Sequence, residues 1–224
     1  MVLALLALMA ASTFFLPRDR EPSRHLEHAS ILSIIKRPEV IALFVGFFLM
    51  QVAHGPYNAF YSIHLVEAGY SKTAVGWLWS LGVIAEIGLF MLLPRLMRAY
   101  SLNQILLFSF GCAFVRLLMI AWGVGSPAIL LAAQLLHAVT FGAFHSAGVA
   151  MMHQIFRGRN QARGQAIYTS LGYGLGGTLG TLMAGYSWEA LGAAWTFTFA
   201  AIAALLALIV VAWRQVFLPG QVNS

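Results

Sequence analysis

TAVGWLWSLGVIAEIGLFMLLP (73–94) and LNQILLFSFGCAFVRLLMIAW (102–122) each have the length and apolar character of a helix that crosses a bilayer. Each also carries one full charge away from its ends, Glu86 in the first and Arg116 in the second. A charge near mid-membrane costs about 2.5–3.5 kcal/mol on insertion scales, so such residues turn inward, pair, or serve a pathway for ions and solutes. A hairpin holding one acid and one base therefore reads either as a buried structural ion pair or as a coupling pair for protons or substrate.

Working outward, the composition agrees with a membrane solvent. The 224 residues are 60% hydrophobic and 9% charged, with a mean hydropathy of +0.81, whereas soluble domains carry about 25% charged residues. The fold class is an all-α polytopic membrane bundle. At about 20 residues per span there is room for six or seven helices and no soluble domain. The excess of 13 basic over 7 acidic residues clusters in membrane-flanking loops, so it does not indicate nucleic acid. Cys112 is the single cysteine, which excludes an intrachain disulfide, and zinc-type spacing is absent. No catalytic residue, metal or other cofactor is expected, and an enzyme is not the reading.

Residues 1–16 contain the apolar run Val2–Leu16, which reaches about 22 Å as a helix, short of the roughly 30 Å hydrocarbon core. The run lacks the basic start of a signal peptide and reads as the end of a transmembrane helix whose beginning is missing. Residues 17–38 form a basic linker whose second half, LEHASILSII, suits a short surface helix. Six spans follow within 39–214: Glu39–Val66, Thr73–Leu93, Leu102–Gly123, Ala128–Ile155, Gln165–Ser187 and Gly192–Trp213. Residues 215–224 form a tail.

Alternate connections hold Arg18, Arg20, Arg24, Lys36 and Arg37, then Arg95 and Arg98, then Arg157, Arg159 and Arg163, then Arg214; the others hold Lys72 alone. That asymmetry places the linker and C-terminus in the cytoplasm and the N-terminus outside. Trp77, Trp188 and Trp213 fall near span ends, as aromatic belts do.

The first span, IALFVGFFLMQVAHGPYNAFYSIHLV (41–66), is interrupted by Gly55-Pro56, which frees a carbonyl near Val52. Gln51, His54, Tyr57, Asn58 and Tyr61 crowd the same turns, and broken helices often line transporter cavities. The alternative is a kink whose polar groups bond neighbouring helices. In the fourth span, Gln134, His137 and Thr140 share a face through i, i+3 spacing, while His153 lies at the cytoplasmic end. Depths from the outer ends come to about 10 Å for Arg116, 14 Å for His137 and 20 Å for Glu86, gaps that side chains can close. His137 is then either hydrogen-bonded glue or part of a proton relay. Its distance of eight residues from His145 is wrong for a helical metal pair. In the fifth span Gly172, Gly176 and Gly180 recur every four residues with Ala184 next, a small-residue stripe for close helix packing or sliding.

These features together resemble the C-terminal half of a major facilitator superfamily transporter. AEI in the second span, VRLLM in the third, LLHAVTFGAFHSA in the fourth and RGQAIYTSLGYGLGGTLG opening the fifth are similar to the phenylpropionate permease group, relatives of the nucleoside and oligosaccharide proton symporters. Glu86, Arg116 and His137 correspond to a Glu, Arg and His of the proton machinery in sugar-transporting members. There a carboxylate follows the histidine by one turn, where this sequence has Thr140.

The resemblance implies proton-coupled symport of a small organic solute, such as an aromatic acid, across the inner membrane. Glu86, Arg116 and His137 would couple protons. Gln51, His54, Tyr57, Asn58, Tyr61, Gln134 and Thr140 would line the substrate cavity. Pro56, Gly172, Gly176 and Gly180 would serve packing or hinging. The partners implied are solute, protons, the lipid bilayer, and either a missing N-terminal half or a second copy. A seven-helix receptor-like protein and a non-functional truncation product are the competing readings. A retinal pump lacks its buried lysine, because Lys36 and Lys72 sit in or beside loops.

Overall fold

A computed structural model describes residues 30–217. The helix expected at 1–16, the first part of the linker and the end of the tail lie outside the described residues. Helix α1 (Ile31–Ile35) is the short linker helix, with Ile34 tucked under the bundle. The long helices are α2 (Pro38–Glu67), α3 (Lys72–Ala99), α4 (Leu102–Trp122), α5 (Pro127–Ile155), α6 (161–191) and α7 (Ala193–Phe217). Five of them, α2 to α5 and α7, are long and apolar enough to cross a membrane.

Local chemistry sets the helix starts. Pro38 and Pro127 occupy first-turn positions where no N–H is needed. Ser71 accepts from the Ala74 amide, and Ser101 forms a reciprocal capping box with Gln104. Gly192, at φ 80°, stops α6 and turns the chain into α7.

The helices pack in the spatial order α3, α5, α4, α7, α2, α6. Without a hydrophobic drive inside lipid, close van der Waals contact holds them. Ala200, Ala201, Ala204 and Ala207 give α7 a flat buried face against α2 and α4. An aromatic group at the centre joins α2, α4, α5 and α6: Phe144 lies 5.8 Å from Phe47 and 5.9 Å from Phe110, and Tyr168 lies 4.9 Å from Phe47. Helix α3 sits at the edge, with 17% of its apolar window buried against 61% in α2.

The interruption expected at Gly55-Pro56 is absent, because α2 runs unbroken through Pro56. The reason lies in the crossing with α6. The Val52 carbonyl, four residues before the proline, abuts the Cα of Gly180, where an added Cβ would stand 2.4 Å from the oxygen. A carbonyl deprived of its helical donor thus rests against a glycine Cα–H, and neighbouring helices stabilise such sites in membranes. Pro94 likewise lies inside α3, which continues to Ala99 rather than stopping at Leu93.

The irregular backbone lies elsewhere. π-helical segments occupy Ala138–Ala143 within α5 and Ser170–Gly176 within α6. One ion pair closes the end of the bundle that holds the start of α2 and the end of α7: Arg214 donates to Glu39 at 3.1 Å. Both side chains are partly solvent-accessible, so Glu39→Gln is expected to cost under about 1 kcal/mol, measured as the thermal midpoint in detergent.

Candidate functional site

Arg116 is the largest fully buried side chain and is 1% exposed. Helix α4 points it toward α5, where its Nε donates to the Ala133 carbonyl at 3.0 Å and its Nη1 to Thr140 Oγ1 at 3.2 Å. Its guanidinium carbon stands 4.0 Å from the centre of the Tyr57 ring, a cation–π contact from α2. The Tyr57 hydroxyl in turn donates to Gln134 at 3.0 Å. Trp79 of α3 packs 4.8 Å from Tyr57 and 5.6 Å from Tyr61, and bonds Ser62.

Glu86 reaches the same place from the other side. Its Oε2 stands 4.0 Å from His137 Nε2. Glycines make that approach possible: a Cβ on Gly142 would meet Glu86 at 3.1 Å, and one on Gly82 would meet Gln134 at 3.0 Å and His137 at 3.3 Å. The intramembrane acid therefore faces the histidine, while the intramembrane base bonds a threonine and a backbone carbonyl. Among the described residues, acid–base contacts within 4.0 Å join Glu86 to His137, which is charged only when protonated, and Glu39 to Arg214. The direct Glu86–Arg116 pair considered from sequence is not among them. Helical geometry accounts for this, because α5 brings an acceptor, Thr140 Oγ1, to Arg116 and a ring nitrogen able to donate, His137 Nε2, to Glu86.

The i, i+3 face of Gln134, His137 and Thr140 is buried and points to this cluster. Gln51, His54, Tyr57 and Tyr61 are also buried, and His54 Nδ1 donates to the Met50 carbonyl at 2.8 Å. Asn58 shares this face of α2 by helix spacing, four residues from His54 and seven from Gln51, but its side chain is exposed. His153 is exposed at the end of α5, where it bonds Gln161.

Six buried polar atoms in the site have no hydrogen-bond partner: Gln51 Nε2, His54 Nε2, Tyr61 Oη, Arg116 Nη2, Gln134 Nε2 and His137 Nδ1. Orphaned polar groups cost stability, so their concentration around Arg116 calls for an explanation that packing alone does not supply. Sequence reasoning missed Trp79 and the Tyr57–Arg116 stack. Neither leaves a local spacing signal, because each arises between helices. The small-residue stripe of α6 lies on α2 instead: a Cβ on Gly176 would stand 2.7 Å from the Phe48 carbonyl.

A family model described as the MFS_1-like family matches residues 1–199. The probable 3-phenylpropionic acid transporter of Escherichia coli (strain K12) is 39% identical to this chain over 149 residues, 64% of this chain and 38% of that protein. The chain thus spans less than half the length of the curated relative it matches. A multi-pass bundle of membrane-length helices and a family match over most of its length place the chain in one group: it belongs to the MFS_1-like family of major facilitator transporters.

Proposed function

We propose that this chain forms one wall of a proton-coupled symporter for a small organic acid bearing an aromatic ring. The observation that carries the reading is the division of charges around α5. Arg116 is sealed in the bundle beside Thr140, and Glu86 faces His137 at the less buried edge. With Glu86 ionised, the site holds one positive and one negative charge. A proton taken up by Glu86 leaves the guanidinium charge unbalanced and so favours an anion. Proton and carboxylate then each raise the affinity for the other, which is the thermodynamic requirement for symport. His137 bridges the acid and the Arg116 side, and Gln51, His54, Tyr57, Tyr61, Gln134 and Thr140 form the surrounding polar and aromatic wall. The transporter named among the relatives supports an aromatic acid as cargo.

In this reading residues 39–214 are a transporter half, 17–38 a cytoplasmic linker joining it to a helix at 1–16, and 215–224 a cytoplasmic tail. The basic loops support an orientation with the C-terminus in the cytoplasm. The facing wall comes from another bundle, either the other half or a second copy.

In liposomes, a verified monomer of this chain is expected to show no saturable uptake of 3-phenylpropionate. Assembled with its facing wall, it should accumulate the acid when an inward proton gradient is imposed. Saturable uptake by the monomer would overturn the half-pathway reading. Accumulation by the assembly that survives collapse of the gradient would overturn the proton coupling.

A further inference from the structure

A second titratable cluster lies two helical turns along α5 from His137 and belongs to none of the roles above. His145 projects from α5 toward α6, where its Nδ1 stands 2.8 Å from the Tyr173 hydroxyl and 3.4 Å from the Tyr168 hydroxyl. His145 is half-buried, whereas Tyr168 is sealed at 1% exposed. Tyr168 is held by shape as well: a Cβ on Gly148 of α5 would stand 2.8 Å from its hydroxyl oxygen, so the glycine makes its seat.

The backbone on both sides is π-helical. Tyr173 lies within the Ser170–Gly176 segment, and the Ala138–Ala143 segment ends just before His145. Such segments recur at functional sites because they re-aim side chains out of α-helical phase.

Between the two histidines stands Phe141. Its ring is stacked 5.4 Å from His137 at 16° and 6.4 Å from His145 at 17°. A phenyl ring carries no exchangeable proton, so His137 and His145 are separate stations rather than neighbours in one hydrogen-bonded chain. Other titratable groups face this region. They are Glu86 of α3, lying against Gly142, and His54 of α2, 6.2 Å from Phe141. Arg116 of α4 bonds Thr140 one turn before His145.

Building on the symport reading, we propose that His145 is a second proton-handling residue, with Tyr173 and Tyr168 as its positioning residues and Phe141 as the ring that insulates it from His137. A tyrosine hydroxyl can donate to the neutral imidazole nitrogen and can accept from the protonated one. The Tyr173–His145 contact therefore survives gain or loss of a proton, as a way-station requires. In this arrangement neutral His145 accepts from Tyr173 at Nδ1 and keeps its proton on Nε2.

The test uses the full 224-residue chain with ¹⁵N-labelled histidine in lipid nanodiscs, with His145→Gln assigning the signal. Nuclear magnetic resonance should show His145 in the Nε2–H tautomer at high pH and a reversible proton uptake as pH falls. Tyr173→Phe should redistribute the tautomers, and His137→Gln should leave the His145 titration in place. The Nδ1–H tautomer in the wild-type chain, or a His145 signal unchanged between about pH 4 and 9, would overturn the proposal even if Tyr173→Phe failed to fold. In the assembled transporter, His145→Gln is expected to shift the pH profile of accumulation while equilibrium exchange continues. An unshifted profile would overturn the transport role of His145. Loss of proton coupling in the wild type would instead strike the symport reading and leave the resonance result standing.

Discussion

Gly180→Val is expected to prevent α6 from docking on α2 and to abolish a folded bundle. The Cβ of any residue at 180 would stand 2.4 Å from the Val52 carbonyl oxygen, 2.7 Å from its Cα and 2.9 Å from its carbonyl carbon. All three are backbone atoms of a packed helix, so no rotamer change relieves the clash. The fit is reciprocal, since a Cβ on Gly55 would meet the backbone of Gly180 and Thr181 at 2.4–2.8 Å. Overpacking a flexible core ordinarily costs about 1–3 kcal/mol, and two backbones forced apart cost more. The same helix supplies its own controls. Gly172→Ala meets Gln51 Cγ at 3.5 Å, ordinary contact, and Gly177→Ala meets nothing within 4 Å. Thermal midpoints in detergent should therefore rank the wild type, Gly177→Ala and Gly172→Ala together, with Gly180→Ala far below and Gly180→Val unfolded. Equal midpoints for Gly180→Ala and Gly172→Ala would contradict the crossing.

Neutralising Glu86 is the second large effect. In the transporter assembled with its facing wall, Glu86→Gln is expected to bring proton-driven accumulation down to the equilibrium level while exchange of labelled solute continues. A glutamine has no proton to trade, yet it keeps a hydrogen-bonding group beside His137. Adding Arg116→Gln should not restore accumulation, because the two charges hold different partners: Glu86 faces His137 at 4.0 Å, and Arg116 bonds Ala133 and Thr140. On its own, Arg116→Gln removes the bonds to Ala133 and Thr140 and empties the face of Tyr57. That should cost about 1–3 kcal/mol, the penalty for an unsatisfied buried group. The cost of breaking a buried ion pair would be larger, about 3–5 kcal/mol. Accumulation in the double variant at the wild-type level would reduce Glu86 and Arg116 to structural charges.

Much of this architecture was legible in the chain because bilayer thickness is a strict ruler. Leu102–Gly123 and Ala128–Ile155 match α4 and α5 to within one residue at each end. Prolines were the unreliable marks. Pro56 read as a break yet lies inside α2, and α3 runs through Pro94 past its expected end at Leu93, since a proline's effect depends on what receives the freed carbonyl. At Pro56 the recipient is Gly180, more than a hundred residues away, and local spacing does not report it. The π segments were invisible for a similar reason: they shift the helical phase with no proline in Ala138–Ala143 or Ser170–Gly176 to mark it.

The candidate site was legible as residue types rather than as pairings. Intramembrane charge singled out Glu86 and Arg116, and the i, i+3 row on α5 brought in Gln134, His137 and Thr140. Which charge met which partner depended on the rotation of α5 against α3 and α4. Asn58 lies on the same face of α2 as Gln51 and His54, yet sequence spacing did not show that it is exposed where they are buried.

The π segment of α5 makes the alignment of the site a matter of counting. Residues Pro127–His137 carry Gln134 and His137, and Phe144–Ile155 carry His145. Removing a single residue between 138 and 143 would leave composition, hydrophobicity and helix content almost untouched. It would also let this loosely wound i→i+5 segment return to regular α-helix with its two halves still in phase, because a π segment absorbs one extra residue. The same removal from the α-helical parts of α5 would turn one half against the other by about 100°, the angular step of one residue. Glu86 and Arg116 on one side and Tyr173 on the other would then no longer meet their partners together. Length changes in α5 are thus tolerated or refused by position along the helix, a constraint that substitution tolerance does not reveal.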